Sequence, residues 1–372
     1  MQTATSTPDA AAREQVQRSC TRFFGHPPQT VRQSLLEAAA AAQDDEYPDR
    51  YGGGELLESF EREIAQMLGK EAAVFMPSGT MAQQIALRIH CERRNVRTVA
   101  LHPQSHLIVS ENSALSRLHG LEPIPAGDRN RLYTLQDLRA VTERIGALLL
   151  ELPERNIGGA LRSWDELESI AAWAKDSGVA LHLDGARLWE SQPYYDKPLA
   201  EIAGPFDTVY VSFYKILGAI AGAALAGPKD VIDEARAWQW RHGGRLVQQY
   251  PMVVSARLGL KRYLPRVPQY CERARAIAKV LSEFENVRVT PDPPSTNMMH
   301  VYVRGECEQL LEAALHVAQE TGVWMPAGWN MTAVPGYSMF ELSCGEGSLS
   351  ITDDEVRDLF SRLFQIFGKT AS

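Results

Sequence analysis

His182-Leu183-Asp184-Gly185-Ala186-Arg187, and one strand later Ser212-Phe213-Tyr214-Lys215-Ile216-Leu217-Gly218, set an acid and a lysine each just past an apolar run. Val179-Ala180-Leu181 leads into the first and Thr208-Val209-Tyr210-Val211 into the second, and short runs of this kind read as buried strands. Both polar groups therefore fall at carboxyl ends of strands, where open α/β sheets bind ligands. An amine and a carboxylate so placed are what pyridoxal phosphate requires. The lysine forms a Schiff base with the cofactor aldehyde, and the acid keeps the pyridine nitrogen protonated as an electron sink. Singly, each has a plainer reading: a lysine in a glycine-rich turn is solvated, and an Asp before Gly makes a turn. Their pairing favours the cofactor.

Around this pair, strands and helices alternate. The spacing predicts a helix from Glu55 with Leu56, Phe60, Ile64, Met67 and Leu68 on one face, stopped by Gly69. Strands are predicted at Ala72–Met76, Val96–Leu101, Ala147–Leu152, 179–184, 207–212 and 221–226, with helices from Gly79, Leu135 and Ser163 between them. Ser163-Trp164-Asp165-Glu166 has the form of a capping box. This rhythm predicts an α/β fold with a mostly parallel central sheet and helices on both faces. After Gly244 it gives way to a helical region from Val253 to Phe284, broken near Pro265 and Pro268, then a strand from Asn297 and a last helix opened by Thr352-Asp353-Asp354-Glu355. The expected organisation is an N-terminal arm over 1–50, with 1–13 a disordered lead, a large α/β domain over 51–244 and a small α+β domain over 245–372.

Composition places few demands and excludes several classes. The 372 residues suffice for two or three domains. With 38 basic and 46 acidic residues the formal charge is −8, which offers no field for nucleic acid or an anionic membrane. The five cysteines, Cys20, Cys91, Cys271, Cys307 and Cys344, are scattered, odd in number and without metal-ligand spacing. They read as reduced thiols, no metal is expected, and a cytoplasmic location follows.

Further candidates flank the pair. Pro77-Ser78-Gly79-Thr80-Met81 joins a strand to a helix. The first-turn amides with the Ser78 and Thr80 hydroxyls make an anion site suited to a phosphate, or simply a helix cap at Ser78. Ser212 is a second phosphate donor. His106, past the strand ending near Leu101, either stacks on a cofactor ring or is solvated. The planar fork of Arg187 suits an α-carboxylate or else a surface ion pair.

These segments, together with Tyr51-Gly52-Gly53, Gln104-Ser105-His106, Gly158-Gly159 and Thr296-Asn297-Met298, resemble the threonine aldolase and β-eliminating lyase family of fold-type I pyridoxal-phosphate enzymes. The resemblance runs in order over about residues 18–300. It implies Lys215 as the cofactor lysine, Asp184 on the pyridine nitrogen and His106 on the ring. It also implies Ser78, Gly79 and Thr80 near the phosphate, Arg187 at the substrate carboxylate or a cofactor oxygen, and a homodimer or homotetramer. Ser19-Cys20-Thr21 stands where the family has Ser-Asp-Thr, leaving Ser19 as a substrate contact. Glu154 stands where the family has an active-site histidine, and Glu341 where it has an arginine.

The expected activity is retro-aldol cleavage of a β-hydroxy-α-amino acid to glycine and an aldehyde, with His106, Glu154 or a water as base. The alternatives are β-elimination or racemisation on the same scaffold, and a cofactor-binding protein without catalysis.

Overall fold

The structure, a computed structural model, describes residues 10–370 and divides into two compact units, 29–266 and the combination of 10–28 with 267–370. In the larger unit a seven-stranded sheet runs in the order Ala72–Met76, Ala223–Gly227, Thr208–Ser212, Ala180–Gly185, Ala147–Glu151, Thr98–Leu101, Glu122–Pro125. From Glu122–Pro125 to Thr208–Ser212 every pairing is parallel; Ala223–Gly227 is antiparallel to both of its neighbours. The central strands are buried along their whole length. A sheet covered by helices on both faces needs apolar residues at every position rather than at alternate ones, and Ala147-Leu148-Leu149-Leu150 supplies them.

The helix Gly79–Arg94 packs one face of this sheet, with Ala82, Ile85, Ala86 and Ile89 in one cluster with Val74, Tyr210 and Leu225 of the sheet and Ile232 of the helix Lys229–Arg241. On the opposite side Phe60, Phe75 and Phe213 form an aromatic cluster, with Phe75 and Phe213 stacked 6.0 Å apart and Phe60 5.2 Å from Phe213. Phe213 is two residues from Lys215, so this cluster fixes the start of the lysine turn. Gly259 closes the turn from beyond: a Cβ there would lie 2.1 Å from the Leu217 carbonyl oxygen.

The smaller unit holds an antiparallel sheet in the order Asn330–Met331, Tyr337–Ser343, Met298–Arg304, Val287–Thr290, with helices Val267–Leu281, Cys307–Thr321 and Asp353–Thr370. The capping box at Thr352 forms, Glu355 and Thr352 bonding each other's backbone N–H.

Three expectations need adjustment. Residues 10–13 of the expected lead are the first turn of a helix, Ala10–Ser19; residues 1–9 lie outside those described. The stretch expected as one arm is divided, residues up to 28 belonging with the C-terminal unit through the parallel pairing of Arg22–Phe23 with Val323–Trp324. The division of units falls after Arg266 rather than at Gly244, because the helix Tyr250–Tyr263 packs on Glu55–Met67 and Val31–Ala41 within the larger unit.

Candidate active site

The carboxyl ends of the parallel strands open onto a cavity of 150 Å³ lined by residues that include Thr80, Gln83, His106, Glu111, Glu151, Arg155, Asp184, Arg187 and Lys215. A wider surface cleft of 620 Å³ beside Glu61 and Arg236 is lined by a pair already bonded to each other at 2.6 Å. The smaller cavity is where the strand-end chemistry meets.

Asp184 is 3% exposed at the end of its strand. One of its oxygens accepts from the Gln83 side-chain amide at 2.9 Å and the other from the Ala186 backbone N–H at 2.9 Å. A buried carboxylate needs such donors, since an unsatisfied one costs several kcal/mol, on the order of 1–3 for each lost bond. Lys215 sits one strand over. Burial, and then the Arg187 charge, push its amine down to about 8, against the upward pull of Asp184, Glu190 and Glu151. Among the described residues the Arg187 guanidinium has no hydrogen-bond partner, so its fork is free for an anionic ligand.

Gly79 opens the helix behind Ser78, whose hydroxyl accepts from the Met81 N–H at 3.3 Å. The helix start lies so close to the sheet that a Cβ at Gly79 would fall 2.0 Å from the Tyr210 hydroxyl oxygen. Thr80 lines the cavity; Ser212 does not, being fully buried with its hydroxyl donated to the Ala186 carbonyl at 2.8 Å. His106 begins a short helix, with its backbone N–H on Glu151 Oε1 at 2.8 Å and its Nε2 3.7 Å from Glu111 Oε1. Glu111 is in turn held by Gln84 at 2.8 Å.

The structure differs from the sequence expectation at Glu154. Its carboxyl is 2% exposed and is not on the cavity wall. The turn explains this: Gly158 and Gly159 take φ of 81° and 76°, letting the chain fold back so that Glu154 bridges to Ala160 and its side chain is buried. Glu151, paired in register with Asp184, is the acid that reaches the cavity. Ser19 lies in the smaller unit, at the end of the helix Ala10–Ser19 with its hydroxyl on the Val16 carbonyl at 2.8 Å. Glu341 is also in that unit, opposite His300 in the strand Tyr337–Ser343.

Sequence reasoning missed Glu151, Gln83 and Glu111. Glu151 carries the same signal as Asp184, an acid closing an apolar run. Gln83 follows Thr80 by three residues, which puts both on one face of a helix.

Comparison with known proteins agrees with this geometry. Residues 29–306 match the family model described as β-eliminating lyase. A solved structure from Exiguobacterium sp. 255-15, named as a candidate aromatic amino acid β-eliminating lyase/threonine aldolase, is 40% identical with a TM-score of 0.91, covering 95% of this chain and 99% of that one. A candidate L-allo-threonine aldolase from Listeria monocytogenes EGD-E is 37% identical with a TM-score of 0.91, covering 96% and 99%. Among curated proteins, low-specificity L-threonine aldolase 1 of Arabidopsis thaliana is 28% identical over 79% of this chain and 84% of its own length.

Proposed function

The chain belongs to the β-eliminating lyase family, and from that premise we propose that it cleaves the Cα–Cβ bond of a β-hydroxy-α-amino acid to glycine and an aldehyde, as a threonine aldolase does. The observation that carries the reading is the meeting of Lys215, Asp184 and Arg187 at one cavity.

The cofactor is pyridoxal 5′-phosphate, and the residues fit it. Lys215 would carry it, Asp184 would hold its ring nitrogen and His106 would cover its ring. The first turn of Gly79–Arg94, with Ser78 and Thr80, would take the phosphate, where backbone N–H groups and the helix dipole favour an anion. When bound, the cofactor supplies a sink for the electron pair released at Cα.

The remaining work falls to the chain. With its pKa brought to about 8, about a tenth of Lys215 is neutral and nucleophilic at pH 7, far more than of an unperturbed lysine. Gln83 and the Ala186 N–H fix Asp184 before any ligand arrives, so orientation costs little at the moment of reaction. Arg187 binds the substrate α-carboxylate bidentately. A base must accept the β-hydroxyl proton; His106 and Glu151 are on the cavity wall, and Glu154 is buried off it.

We place the protein in the cytoplasm as a homo-oligomer. Support for the first is that its five cysteines are free thiols; among the described residues no helix is long and apolar enough to cross a membrane. Support for the second is the exposure of Tyr47, Trp240 and Val247, at 82%, 65% and 56%, apolar surface of the kind a subunit interface covers.

A panel of β-hydroxy amino acids, with glycine, aldehyde, pyruvate and ammonia followed together, tests the activity. Equal release of glycine and aldehyde is expected. Pyruvate with ammonia would replace cleavage by β-elimination, and inversion at Cα without either product would make the protein a racemase.

A further inference from the structure

Below the cavity lies a pair of carboxyl groups that the site as described does not use fully. Glu151 and Glu154 are 6% and 2% exposed and stand three residues apart in the chain, close enough that the charge of Glu151 acts on Glu154. Two neighbouring buried carboxyl groups are costly to ionise together, and a proton kept on one gives it a donor that ionised carboxylates lack.

The surroundings say which one. His102 bonds the Arg131 carbonyl through Nε2 at 2.9 Å, so Nε2 carries hydrogen; its Nδ1 accepts the Gln104 N–H at 3.1 Å, so Nδ1 presents a lone pair. This histidine is neutral, and burial lowers its pKa further. Glu154 Oε1 stands 3.5 Å from that lone pair and has no hydrogen-bond partner among the described residues. A negative charge on that oxygen would meet no donor. The nearby cation, Arg162, spends its guanidinium on the Tyr133 carbonyl at 3.0 Å and on the Tyr133 ring. Glu151 instead accepts the His106 N–H at 2.8 Å, lines the cavity and faces Lys215 and Asp184 across it. Glu154 is therefore the acid and Glu151 the carboxylate. Burial raises both above the ordinary glutamate value, the Asp184 charge adding to Glu151 and the Glu151 and Asp184 charges to Glu154, which is how one proton comes to be retained at neutral pH.

We propose that Glu151 and Glu154 hold one proton between them and that Glu151, the member on the cavity wall, takes the β-hydroxyl proton of the substrate. This rests on the aldolase reading above. The proton moves from the hydroxyl oxygen to the Glu151 carboxylate as the O–H pair becomes the second bond of the aldehyde carbonyl. The Cα–Cβ bond breaks, and its electron pair is left on the Cα side. The dyad then holds two protons and returns one when Cα is protonated to give glycine. The groups facing the dyad are Asp184 on the adjacent strand, His102 and the His106 backbone after Thr98–Leu101, Tyr133, Arg162 beyond the glycine turn, and Lys215 across the cavity.

Glu151→Gln and Glu154→Gln in the full-length holoenzyme test this with two readouts. Glu151→Gln keeps an acceptor for the His106 N–H and should load cofactor normally, with glycine release down on the order of 100-fold or more and the acidic limb of the pH–rate profile lost. Independently of any substrate, the infrared spectrum of wild type minus Glu154→Gln at neutral pH should contain a carboxylic-acid C=O stretch, and that of wild type minus Glu151→Gln should not. Near wild-type glycine release by loaded Glu151→Gln, or no acid stretch in the first difference, would overturn the proposal. Absence of glycine release from wild type on every panel substrate would instead overturn the aldolase reading, and with it the hydroxyl step, while the infrared result still decides the shared proton.

Discussion

At the scale of single residues, Asp184 illustrates what was legible and what was not. Its position at the end of an apolar run and its partnership with Lys215 could be read from the chain, because strand ends are marked by composition. Its anchoring by Gln83 could not, because the bond joins positions far apart in sequence. The same holds for Glu154, which its place in a motif marked as a cavity residue; a fold-back at Gly158 and Gly159 that motif alignment does not express buries it behind Glu151. Asp184→Asn should retain cofactor and lose turnover on the order of a hundredfold or more, since a preorganised charge is removed and the cradle is left. Absorbance of the loaded mutant beside its glycine release checks this; near-normal turnover would remove Asp184 from its role.

At the scale of elements, the parallel strands were readable because burial on both faces writes continuous apolar runs. The strand Glu122–Pro125 was not, since its Glu-Pro-Ile-Pro sequence suits only an edge, where missing N–H donors are tolerated. Tyr337–Ser343 alternates buried and half-buried residues, but its buried face includes the polar Ser338 and its outer face Tyr337 and Met339, so the hydropathy alternation was blurred. The contact between Gly79 and Tyr210 was invisible until the helix was seated on the sheet. Gly79→Ala should therefore cost about 1–3 kcal/mol of stability through overpacking, and weaken phosphate retention as the helix start moves off the sheet. Phe213→Ala should cost about 3–5 kcal/mol, because it leaves a hole among Phe60, Phe75 and Trp189. Denaturant midpoints of both variants against wild type measure these effects; an unchanged midpoint for Gly79→Ala would show that Tyr210 yields without strain.

At the scale of the whole molecule, the buried acids set the response of stability to pH. Burial raises Glu190 to about 7, with Arg187 and Lys215 opposing. A raised carboxyl stabilises the fold fully below its unfolded pKa, and that contribution is lost as pH climbs through the folded value. Glu190 should thus contribute on the order of 3 kcal/mol at acid pH that fades toward neutrality, and Glu190→Gln should flatten the fall in denaturant midpoint over that interval. A slope identical in both proteins would mean that Glu190 is charged in the fold. The division into units was the least legible feature at this scale, because the change of rhythm after Gly244 marks where strands stop, whereas the helix Tyr250–Tyr263 still packs with the larger unit.

The account stands most directly on the chemistry of Lys215. Borohydride reduction of the yellow holoprotein followed by peptide mapping should place a single pyridoxyl group on Lys215, and Lys215→Ala should take no stable label. A label on another lysine, or no chromophore after reconstitution with pyridoxal phosphate, would contradict it.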